Sequence, residues 1–246
     1  YSMRTNSDTE VLLEFIVHYG LDTTLECVRG MFAFVFYDTL TERTIAVRDH
    51  FGQKPLYYFE ENGKFAVASS IRSILAFKEN LEPNVESYIT YLCTRGIIHP
   101  EDTFFSGIKC LPAGRILIYD KGSLVKQEYF NAWDLYNNEL ACNNTSVDDA
   151  INELDMLLEQ SVRRHLVSDV PVGILLSGGI DSTLLYWYAH DINDNLTAFT
   201  KTSPGIENIP MDIVPQILKN KMSKCLFTLE QEKSYLTVLV DFINSS

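Results

Sequence analysis

A chain of 246 residues is long enough for two ordinary domains or one large one. Its 46% apolar and 12% aromatic content argues against disorder, and its net charge of −13 argues against nonspecific binding to nucleic acids or anionic membranes. The printed sequence contains no run of about 18 apolar residues and no signal-peptide pattern. These features predict a cytoplasmic protein with no nucleic-acid or membrane partner.

The cysteines and histidines show no metal-binding or disulfide pattern. The cysteines lack C-x-x-C spacing and are odd in number, which is typical of reduced thiols in the cytoplasm; they are Cys27, Cys93, Cys110, Cys142 and Cys225. The histidines form neither H-x-x-x-H nor H-E-x-x-H, so a zinc site built by the protein has little support.

The first half begins with a predicted helix and continues with predicted strands. Ser7 and Glu10 have the spacing of a capping box, apolar residues recur at helical spacing after them, and Gly20 is a typical stop. From Gly30 onward the apolar period is that of strands. Runs separated by Asp, Gly and Asn turns predict an α+β layered domain; they cover residues 31–38, 43–49, 55–61, 64–70, 114–120 and 124–130.

The second half has a different order of elements. Residues 131–144 break the strand periodicity and predict a linker. Ser146 and Asp149 then predict the cap of a helix whose apolar stripe is Val147, Ile151, Leu154, Leu158, Val162 and Leu166. Residues 172–176 predict a parallel strand covered on both faces, and residues 196–202 predict a second strand. This order is typical of an open parallel α/β sheet, which binds ligands beyond the carboxyl ends of its strands.

The sequence ILLSGGIDST, residues 174–183, places two glycines between that strand and a predicted helix. Glycine permits unusual backbone angles and close approach to a ligand, and a helix N-terminus attracts anions. The lysine of a Walker A loop and the third glycine of a dinucleotide fingerprint are absent. The turn therefore predicts a pyrophosphate site at which Asp181 holds Mg²⁺. The alternative is a structural connection in which Asp181 or Ser182 only caps the helix.

Several motifs resemble the glutamine-hydrolysing asparagine synthetases. SVRRHLVSDVPVGILLSGGIDST resembles the entry to their synthetase domain, where S-G-G-x-D-S is the pyrophosphate loop of N-type ATP pyrophosphatases. SDTEVLL, RGMFAFVFYD, VRDHFGQKPLYYF, ASSIRSIL and GIKCLPAGRILIYDKG resemble their glutamine amidotransferase domain, in the same order. The resemblance covers residues 6–202, and several ordered motifs are more specific than one.

The resemblance implies two domains. Residues 1–130 would form a class II glutamine amidotransferase domain, an α+β layered fold of the N-terminal nucleophile type that is incomplete at its start. Residues 131–144 would be a linker. Residues 145–246 would begin an α/β parallel-sheet ATP pyrophosphatase domain that is incomplete at its end.

The resemblance also implies a reaction. One domain would hydrolyse glutamine and release ammonia. The other would use ATP and Mg²⁺ to adenylylate a carboxylate acceptor, aspartate in the namesake enzymes, and ammonia would displace AMP. The protein could also assemble as a homodimer.

Site residues follow from positions in the matching motifs. ATP would be bound by Leu176, Ser177, Gly178, Gly179, Asp181, Ser182 and Lys201, and Asp181 would hold Mg²⁺ through the pyrophosphate. Lys201 stands where the family usually has an apolar residue. Asp8 would bind the α-amino group of glutamine. A carboxylate in the first turn of a helix is also favourable by itself, and the two roles are compatible.

The sequence departs from the family at both ends. The family's nucleophile is an N-terminal cysteine whose free amine acts as the base, and it has no counterpart in a chain that begins with Tyr1. Cys27 follows the first predicted helix and is not predicted to replace it. The native reading frame is therefore expected to extend upstream and to begin Met-Cys-Gly. The 246-residue chain is expected not to hydrolyse glutamine.

Later synthetase motifs do not occur before Ser246, which predicts a fragment of a longer enzyme. Two alternatives remain. One is an adenylylating enzyme similar to β-lactam synthetase, without glutaminase activity. The other is a non-catalytic nucleotide-binding or scaffold protein.

Other prominent residues are predicted to be structural. Arg48, Asp49 and Lys54 are charged neighbours in a predicted strand and turn, and a structural or interdomain role is favoured over catalysis. His50 is interpreted as a turn residue. Phe32, Phe34 and Phe36 alternate as strand residues do and are predicted to lie in the core.

Overall fold

The computed structural model describes residues 3–78, 82–97, 99–139, 146–177, 179–200 and 226–228. The chain divides into two compact units, Tyr1–Asn143 and Asn144–Ser246. No helix in the described ranges is long and apolar enough to cross a membrane.

The first unit contains five helices and seven strands among its described residues. The helices are α1 (Asp8–Tyr19), α2 (Leu21–Cys27), α3 (Ile71–Leu75), α4 (Val85–Thr94) and α5 (Ala132–Glu139). The strands are β1 (Ala33–Asp38), β2 (Arg43–Arg48), β3 (Tyr57–Glu61), β4 (Lys64–Ala68), β5 (Ile108–Cys110), β6 (Arg115–Asp120) and β7 (Ser123–Glu128). All of the strands predicted in this half are confirmed, with ends that agree to within two residues.

The strands form two antiparallel sheets. One has the order β1-β2-β6-β7 and the other has the order β4-β3-β5. In the first sheet β2 and β6 pair so that Val47 lies opposite Ile116. The two central strands are thereby buried on both faces, which explains their continuous apolar sequence.

Neighbouring residues of β2 pack in different layers. Ala46 packs with Leu117 and with Tyr58 of the second sheet. Val47, on the opposite face, packs against Leu25 of α2. The first sheet therefore separates the second sheet from a helix layer, because successive side chains of a strand point to opposite faces.

The second sheet carries a helix on its other face. Phe59 follows Tyr58 along β3 and packs with Ile108 of β5 and Ile74 of α3. The sequence of layers is helix, sheet, sheet, helix. An α+β layered domain with antiparallel sheets is thus confirmed.

The predicted capping box of α1 forms only in half. The Ser7 hydroxyl accepts a hydrogen bond of 3.2 Å from the Thr9 N–H, as an N-cap should. The Glu10 carboxylate instead accepts hydrogen bonds from the backbone N–H groups of Arg4 and Thr5, at 2.9 and 2.7 Å. Arg4 and Thr5 precede the N-cap, and their N–H groups bind the carboxylate that would accept from the Ser7 N–H in a complete capping box. Gly20 ends α1 with a φ of 82°, as predicted.

Five elements of the first unit were not predicted from the sequence: α2, α3, α4, α5 and β5. The helices α2 and α3 have seven and five residues, which is too short to display a helical period. The strand β5 has three residues. For α4 a signal is present, since Asn84 caps the helix by accepting a hydrogen bond from the Ser87 N–H.

The predicted linker, residues 131–144, contains a helix. Its residues 132–139 form α5, and the remainder up to residue 144 lies outside the described residues. The boundaries 1–130, 131–144 and 145–246 remain predictions.

The second unit contains α6 (Val147–His165), β8 (Gly173–Leu175), α7 (Ile180–Ile192), β9 (Thr197–Thr200) and β10 (Leu226–Thr228). The strands pair in the order β10-β9-β8, and both pairings are parallel. The predicted order of helix, strand, turn, helix and strand is confirmed, as is a parallel sheet.

One face of this sheet holds the core of the unit. Leu176 and Ala198 pack there against Val162 of α6 and against Tyr186 and Ala189 of α7. The cap of α6 forms as predicted, with the Ser146 hydroxyl accepting a 3.1 Å hydrogen bond from the Asp149 N–H.

Burial on both faces, predicted for β8, is not found among the described residues. Leu175 is 82% exposed and Phe199 of β9 is 38% exposed. In α6 the stripe is buried at Val162, whereas Ile151 and Leu154 near its start are exposed. Among the described residues, therefore, one face of the sheet β10-β9-β8 and the C-terminal part of α6 are buried.

Candidate functional site

The Ser-Gly-Gly turn follows the carboxyl end of β8, where an open parallel sheet binds its ligands. Leu176 continues the strand, since its N–H donates a 2.7 Å hydrogen bond to the Phe199 carbonyl. Its side chain is 4% exposed and lies in the core with Val162 and Tyr186. Because the side chain is buried, Leu176 could contact a nucleotide only through its backbone.

Three groups of the turn contact one another. The hydroxyl oxygens of Ser177 and Ser182 are 3.0 Å apart. The Gly179 N–H donates a 3.4 Å hydrogen bond to the Ser177 hydroxyl, and the Ser182 hydroxyl donates one of 3.2 Å to the Gly179 carbonyl. The predicted ATP-binding residues Ser177, Gly179 and Ser182 thus form one cluster at the start of α7.

Gly179 is the N-cap of α7, which begins at Ile180. Its φ of −75° is accessible to any residue, so unusual backbone angles do not require glycine here. A Cβ atom at this position would lie 3.6 Å from the Ser177 hydroxyl, which is ordinary contact. Among the described residues, neither the backbone nor the packing demands a glycine at position 179, which is compatible with close approach of a ligand.

Asp181 occupies the first turn of α7 and is exposed. Neither Asp181 nor Ser182 is the N-cap, so the capping role that the alternative gave to these residues is not found. A purely structural connection stays the alternative to a phosphate site. A carboxylate here is favoured by the helix dipole. Within the described ranges, no group of three or more His, Cys, Asp or Glu side chains could hold a metal ion. Mg²⁺ commonly uses one or two carboxylates together with substrate phosphates, so a single Asp181 fits a metal held jointly with a ligand.

Two of the predicted ATP-binding residues, Gly178 and Lys201, lie outside the described residues. Their assignments stay predictions.

Gly173 and Phe199 form a contact that the sequence did not predict. A Cβ atom on Gly173 would lie 2.6 Å from Cε2 of the Phe199 ring and 3.3 Å from the Thr197 carbonyl oxygen. The residues come from paired strands, since β8 and β9 align Gly173 with Thr197. Glycine at position 173 therefore lets the Phe199 ring lie across β8, four residues before the turn begins at Ser177.

The predicted glutamine-binding residue, Asp8, is the first residue of α1 and is exposed. It accepts a 3.4 Å hydrogen bond from the Thr9 hydroxyl. Cys27 is the last residue of α2 and is also exposed. Among the described residues, the exposed Asp8 carboxylate keeps acceptor capacity that suits an ammonium group.

Arg48 has the contacts of a structural residue. Its guanidinium donates hydrogen bonds to the carbonyl oxygens of Lys54, Leu111 and Gly52, at 2.8, 2.6 and 2.7 Å, and to Sγ of Cys110 at 3.1 Å. These bonds join β2 to the following turn and to the chain after β5. The favoured structural role of Arg48 is confirmed.

Asp49 is fully buried and organises the same turn. Its carboxylate accepts hydrogen bonds from the backbone N–H groups of Phe51, Gln53 and Lys54, at 3.1, 3.0 and 2.9 Å. Burial raises the pKa of this carboxyl, but the N–H donors together outweigh burial and the pKa lies below its ordinary value. Asp49 is a structural residue, as predicted.

His50 is surrounded by aromatic rings. The ring centroids of Phe32, Tyr129 and Phe130 lie 5.9, 5.3 and 4.7 Å from that of His50. Burial lowers the pKa of His50, and the charge of Arg29 adds to this effect. The imidazole is therefore a neutral packing group at neutral pH.

Family comparisons agree with this organisation. Residues 1–130 match the glutamine amidotransferase domain family, and residues 153–212 match the asparagine synthase family. Asparagine synthetase (glutamine-hydrolyzing) 1 of Bacillus subtilis is 30% identical over 244 residues, which are 92% of this chain and 38% of the relative.

Two further relatives have similar identities. Amidase chyE of Penicillium rubens is 36% identical over 84% of this chain and 30% of its own length. Asparagine synthetase B (glutamine-hydrolyzing) of Escherichia coli is 33% identical over 75% of this chain and 27% of its own length. The chain thus spans well under half the length of the curated relatives that it matches.

A solved structure of glutamine phosphoribosylpyrophosphate amidotransferase from B. subtilis, complexed with ADP and GMP, aligns with 78% of this chain and 39% of its own at 17% identity. Its TM-score of 0.34 is too low to establish a common fold. The match over residues 1–130 covers more than half of the sequence. The chain therefore belongs to the glutamine amidotransferase family, in the branch that, like the glutamine-hydrolysing asparagine synthetases, carries an asparagine synthase region after the amidotransferase domain.

Proposed function

We propose that the chain is part of a glutamine-dependent amidotransferase that uses ATP and Mg²⁺ to adenylylate a carboxylate, with aspartate as the expected acceptor. Ammonia from glutamine would then displace AMP and form the amide. The second unit would be the start of an ATP pyrophosphatase domain. A free carboxylate is a poor electrophile, and adenylylation supplies a good leaving group.

The observation that carries the proposal is the cluster of Ser177, Gly179 and Ser182 at the carboxyl end of β8. It joins two hydroxyl groups to the N-terminus of α7, where the first N–H groups of a helix lack partners within the helix. Pyrophosphate oxygens would accept hydrogen bonds from these groups. Asp181, exposed beside them, would bind Mg²⁺ together with the phosphates.

On the glutaminase side, Asp8 would pair with the α-amino group of glutamine. The exposed carboxylate at the start of α1 supports this role. The nucleophile that attacks the glutamine amide is not assigned to any residue of the chain. Cys27 is not proposed as that nucleophile.

The proposal is tested with the protein expressed from its complete reading frame. Incubation with amide-¹⁵N glutamine, ATP, Mg²⁺ and aspartate should give ¹⁵N-asparagine, AMP and pyrophosphate in equal amounts. Asp181→Asn should slow AMP formation at least about tenfold at ATP concentrations below saturation, while glutaminase activity remains. Asp194→Asn, which changes an exposed carboxylate after α7, is the matched control.

Other outcomes identify the alternatives. AMP formed without consumption of glutamine would point to an enzyme similar to β-lactam synthetase. If glutamine were hydrolysed and AMP were formed only when a carboxylate other than aspartate was supplied, that carboxylate would replace aspartate as the proposed acceptor. ATP binding without AMP formation under any of these conditions would favour a scaffold protein and overturn the proposal.

A further inference from the structure

A cavity in the first unit shares no lining residue with either proposed substrate site. Its volume is about 370 Å³, within the range of small-molecule pockets. It is formed by the turn between β3 and β4, the residues after α3 and the approach to β5. The lining residues are Phe59, Glu61, Asn62, Lys64, Phe77, Lys78, Glu82, Ser106 and Gly107.

Lys78 is a buried cation in this cavity. Its side chain is 6% exposed, and its ammonium group lies 5.1 Å from the centre of the Phe59 ring. A Cβ atom on Gly107 would lie 2.7 Å from Nζ of Lys78, so glycine at position 107 makes room for the ammonium group. A buried charge is unfavourable unless it is paired, which makes this ammonium a strong recognition group.

The charge of Lys78 is only partly compensated within the described residues. Oε2 of Glu61 lies 3.5 Å from Nζ, longer than the 2.7–2.9 Å or so of a charge-assisted hydrogen bond. The Glu61 side chain is itself 54% exposed. An ammonium group has three N–H donors, so Lys78 retains donor capacity for a ligand in the cavity.

The other lining groups restrict the class of that ligand. Glu61 and Glu82 oppose a polyanion, whereas Lys64 and Lys78 oppose a simple cation. An uncharged apolar molecule would leave Lys78 without a new acceptor. The rings of Phe59 and Phe77 provide an apolar wall. This combination of both charges with aromatic rings is complementary to a zwitterion that carries an apolar group.

We propose that this cavity binds a free α-amino acid with an apolar side chain. The carboxylate would accept hydrogen bonds from Lys78 and Asn62, the ammonium group would pair with Glu82, and the side chain would pack on Phe77. The cavity would be a regulatory or sensing site, separate from the glutamine site assigned to Asp8.

The test is a calorimetric titration of the 246-residue chain with L-leucine and two analogues that each lack one charge. Isoamylamine lacks the carboxylate, and 4-methylpentanoate lacks the ammonium group. Leucine should bind saturably, and each analogue should bind at least tenfold more weakly. Lys78→Met and Glu82→Gln should each weaken leucine binding at least tenfold, whereas Lys121→Met, at an exposed turn between β6 and β7, should change it less than twofold.

The analogue series needs no variant, so the test holds even if Lys78→Met impairs folding. Absence of saturable leucine binding to the wild-type chain would overturn the proposal. Equal binding of 4-methylpentanoate and leucine would also overturn it, because the site would then recognise only an anion. Unchanged binding by a folded Lys78→Met variant would place leucine elsewhere.

Discussion

The hydroxyl oxygens of Ser177 and Ser182 lie 3.0 Å apart, one just after β8 and the other in the first turn of α7. The contact closes the Ser-Gly-Gly turn, and the Gly179 N–H donates to the same Ser177 hydroxyl. The groups proposed to bind phosphate are therefore already close together before a ligand arrives. Preorganisation of this kind lowers the cost of ordering groups when a ligand binds.

Ser177→Ala should weaken binding of MgATP at least about tenfold, because a hydrogen bond to a charged group contributes about 1.5–3 kcal/mol. The variant also removes the two contacts that the hydroxyl makes within the turn. Calorimetry with the protein from the complete reading frame measures the effect. Ser123→Ala, at the exposed start of β7, is the control and should bind as the wild type does. Wild-type affinity in Ser177→Ala would show that this hydroxyl is not part of the phosphate site.

Substitution by alanine should affect mainly ligand binding at Gly179 and mainly stability at Gly173. At Gly179 an added Cβ meets only ordinary contact, so Gly179→Ala should lower stability by no more than about 1 kcal/mol, the typical loss of an N-cap, yet should weaken MgATP binding at least tenfold. At Gly173 the Cβ would clash with the Phe199 ring and the Thr197 carbonyl, so Gly173→Ala should lower the urea midpoint of unfolding. Phe199→Leu in that background should restore part of the loss. Strong destabilisation by Gly179→Ala would contradict this division of roles.

Much of the fold could be predicted from periodicity. The antiparallel strands were visible because alternating residues such as Phe32, Phe34 and Phe36 mark one face, and Phe32 and Phe34 do pack against the core. The helix α4 was missed although Val85, Tyr88, Ile89 and Leu92 repeat at helical spacing and Asn84 is a cap. Burial could not be predicted from that pattern, since Val85 and Leu92 are 61% and 80% exposed.

The site could be predicted in its residue types but less well in its geometry. Ser177 and Ser182 were identified from the motif, whereas their direct contact depends on the length of the turn and on the start of α7 at Ile180. The requirement for glycine at position 173 arises from Phe199 on a neighbouring strand. Such a contact joins residues far apart in sequence, and no local pattern indicates it.

Asp49→Asn should lower the free energy of unfolding by about 2 kcal/mol, since hydrogen bonds to a charged group are lost in a buried turn. The amide can accept at one oxygen, whereas the carboxylate accepts from three N–H groups. Because the folded pKa lies below the unfolded value of about 3.9, the contribution is complete above that pH and is lost as the pH falls through the folded pKa. Urea denaturation at pH 7 measures the loss, and Glu60→Gln, at an exposed position of β3, should change stability by less than about 0.5 kcal/mol.

His50 should make the protein less stable in mild acid. Its folded pKa lies below the ordinary 6.5, so the unfolded chain binds more protons between the two values. The contribution of His50 is therefore complete above pH 6.5 and is lost as the pH falls through the folded pKa. His50→Phe should reduce the fall in the urea midpoint between pH 7.5 and 5, whereas the exposed His99→Phe should not. An identical pH profile for His50→Phe and the wild type would disprove this role.

Asp181→Asn should weaken ATP binding in a way that depends on Mg²⁺. The amide preserves the shape of the carboxylate but removes the charge that a hard divalent cation prefers. Asp181 is exposed in the first turn of α7 and supports no part of the core, so the fold should be unchanged. With Mg²⁺ present, the affinity for ATP should fall about tenfold, equivalent to about 1.4 kcal/mol. With EDTA, the affinity should be unchanged or slightly higher, because removal of the carboxylate also removes its repulsion of the phosphates.

The measurement is calorimetry with the protein from the complete reading frame, repeated with Mg²⁺ and with EDTA. Asp194→Asn changes the charge of the unit equally without touching the turn, and it should behave as the wild type under both conditions. Circular dichroism of each variant checks the fold. Equal loss with and without metal in a folded Asp181→Asn variant would exclude a metal-binding role, because only coordination of Mg²⁺ makes the effect of this carboxylate conditional on the cation.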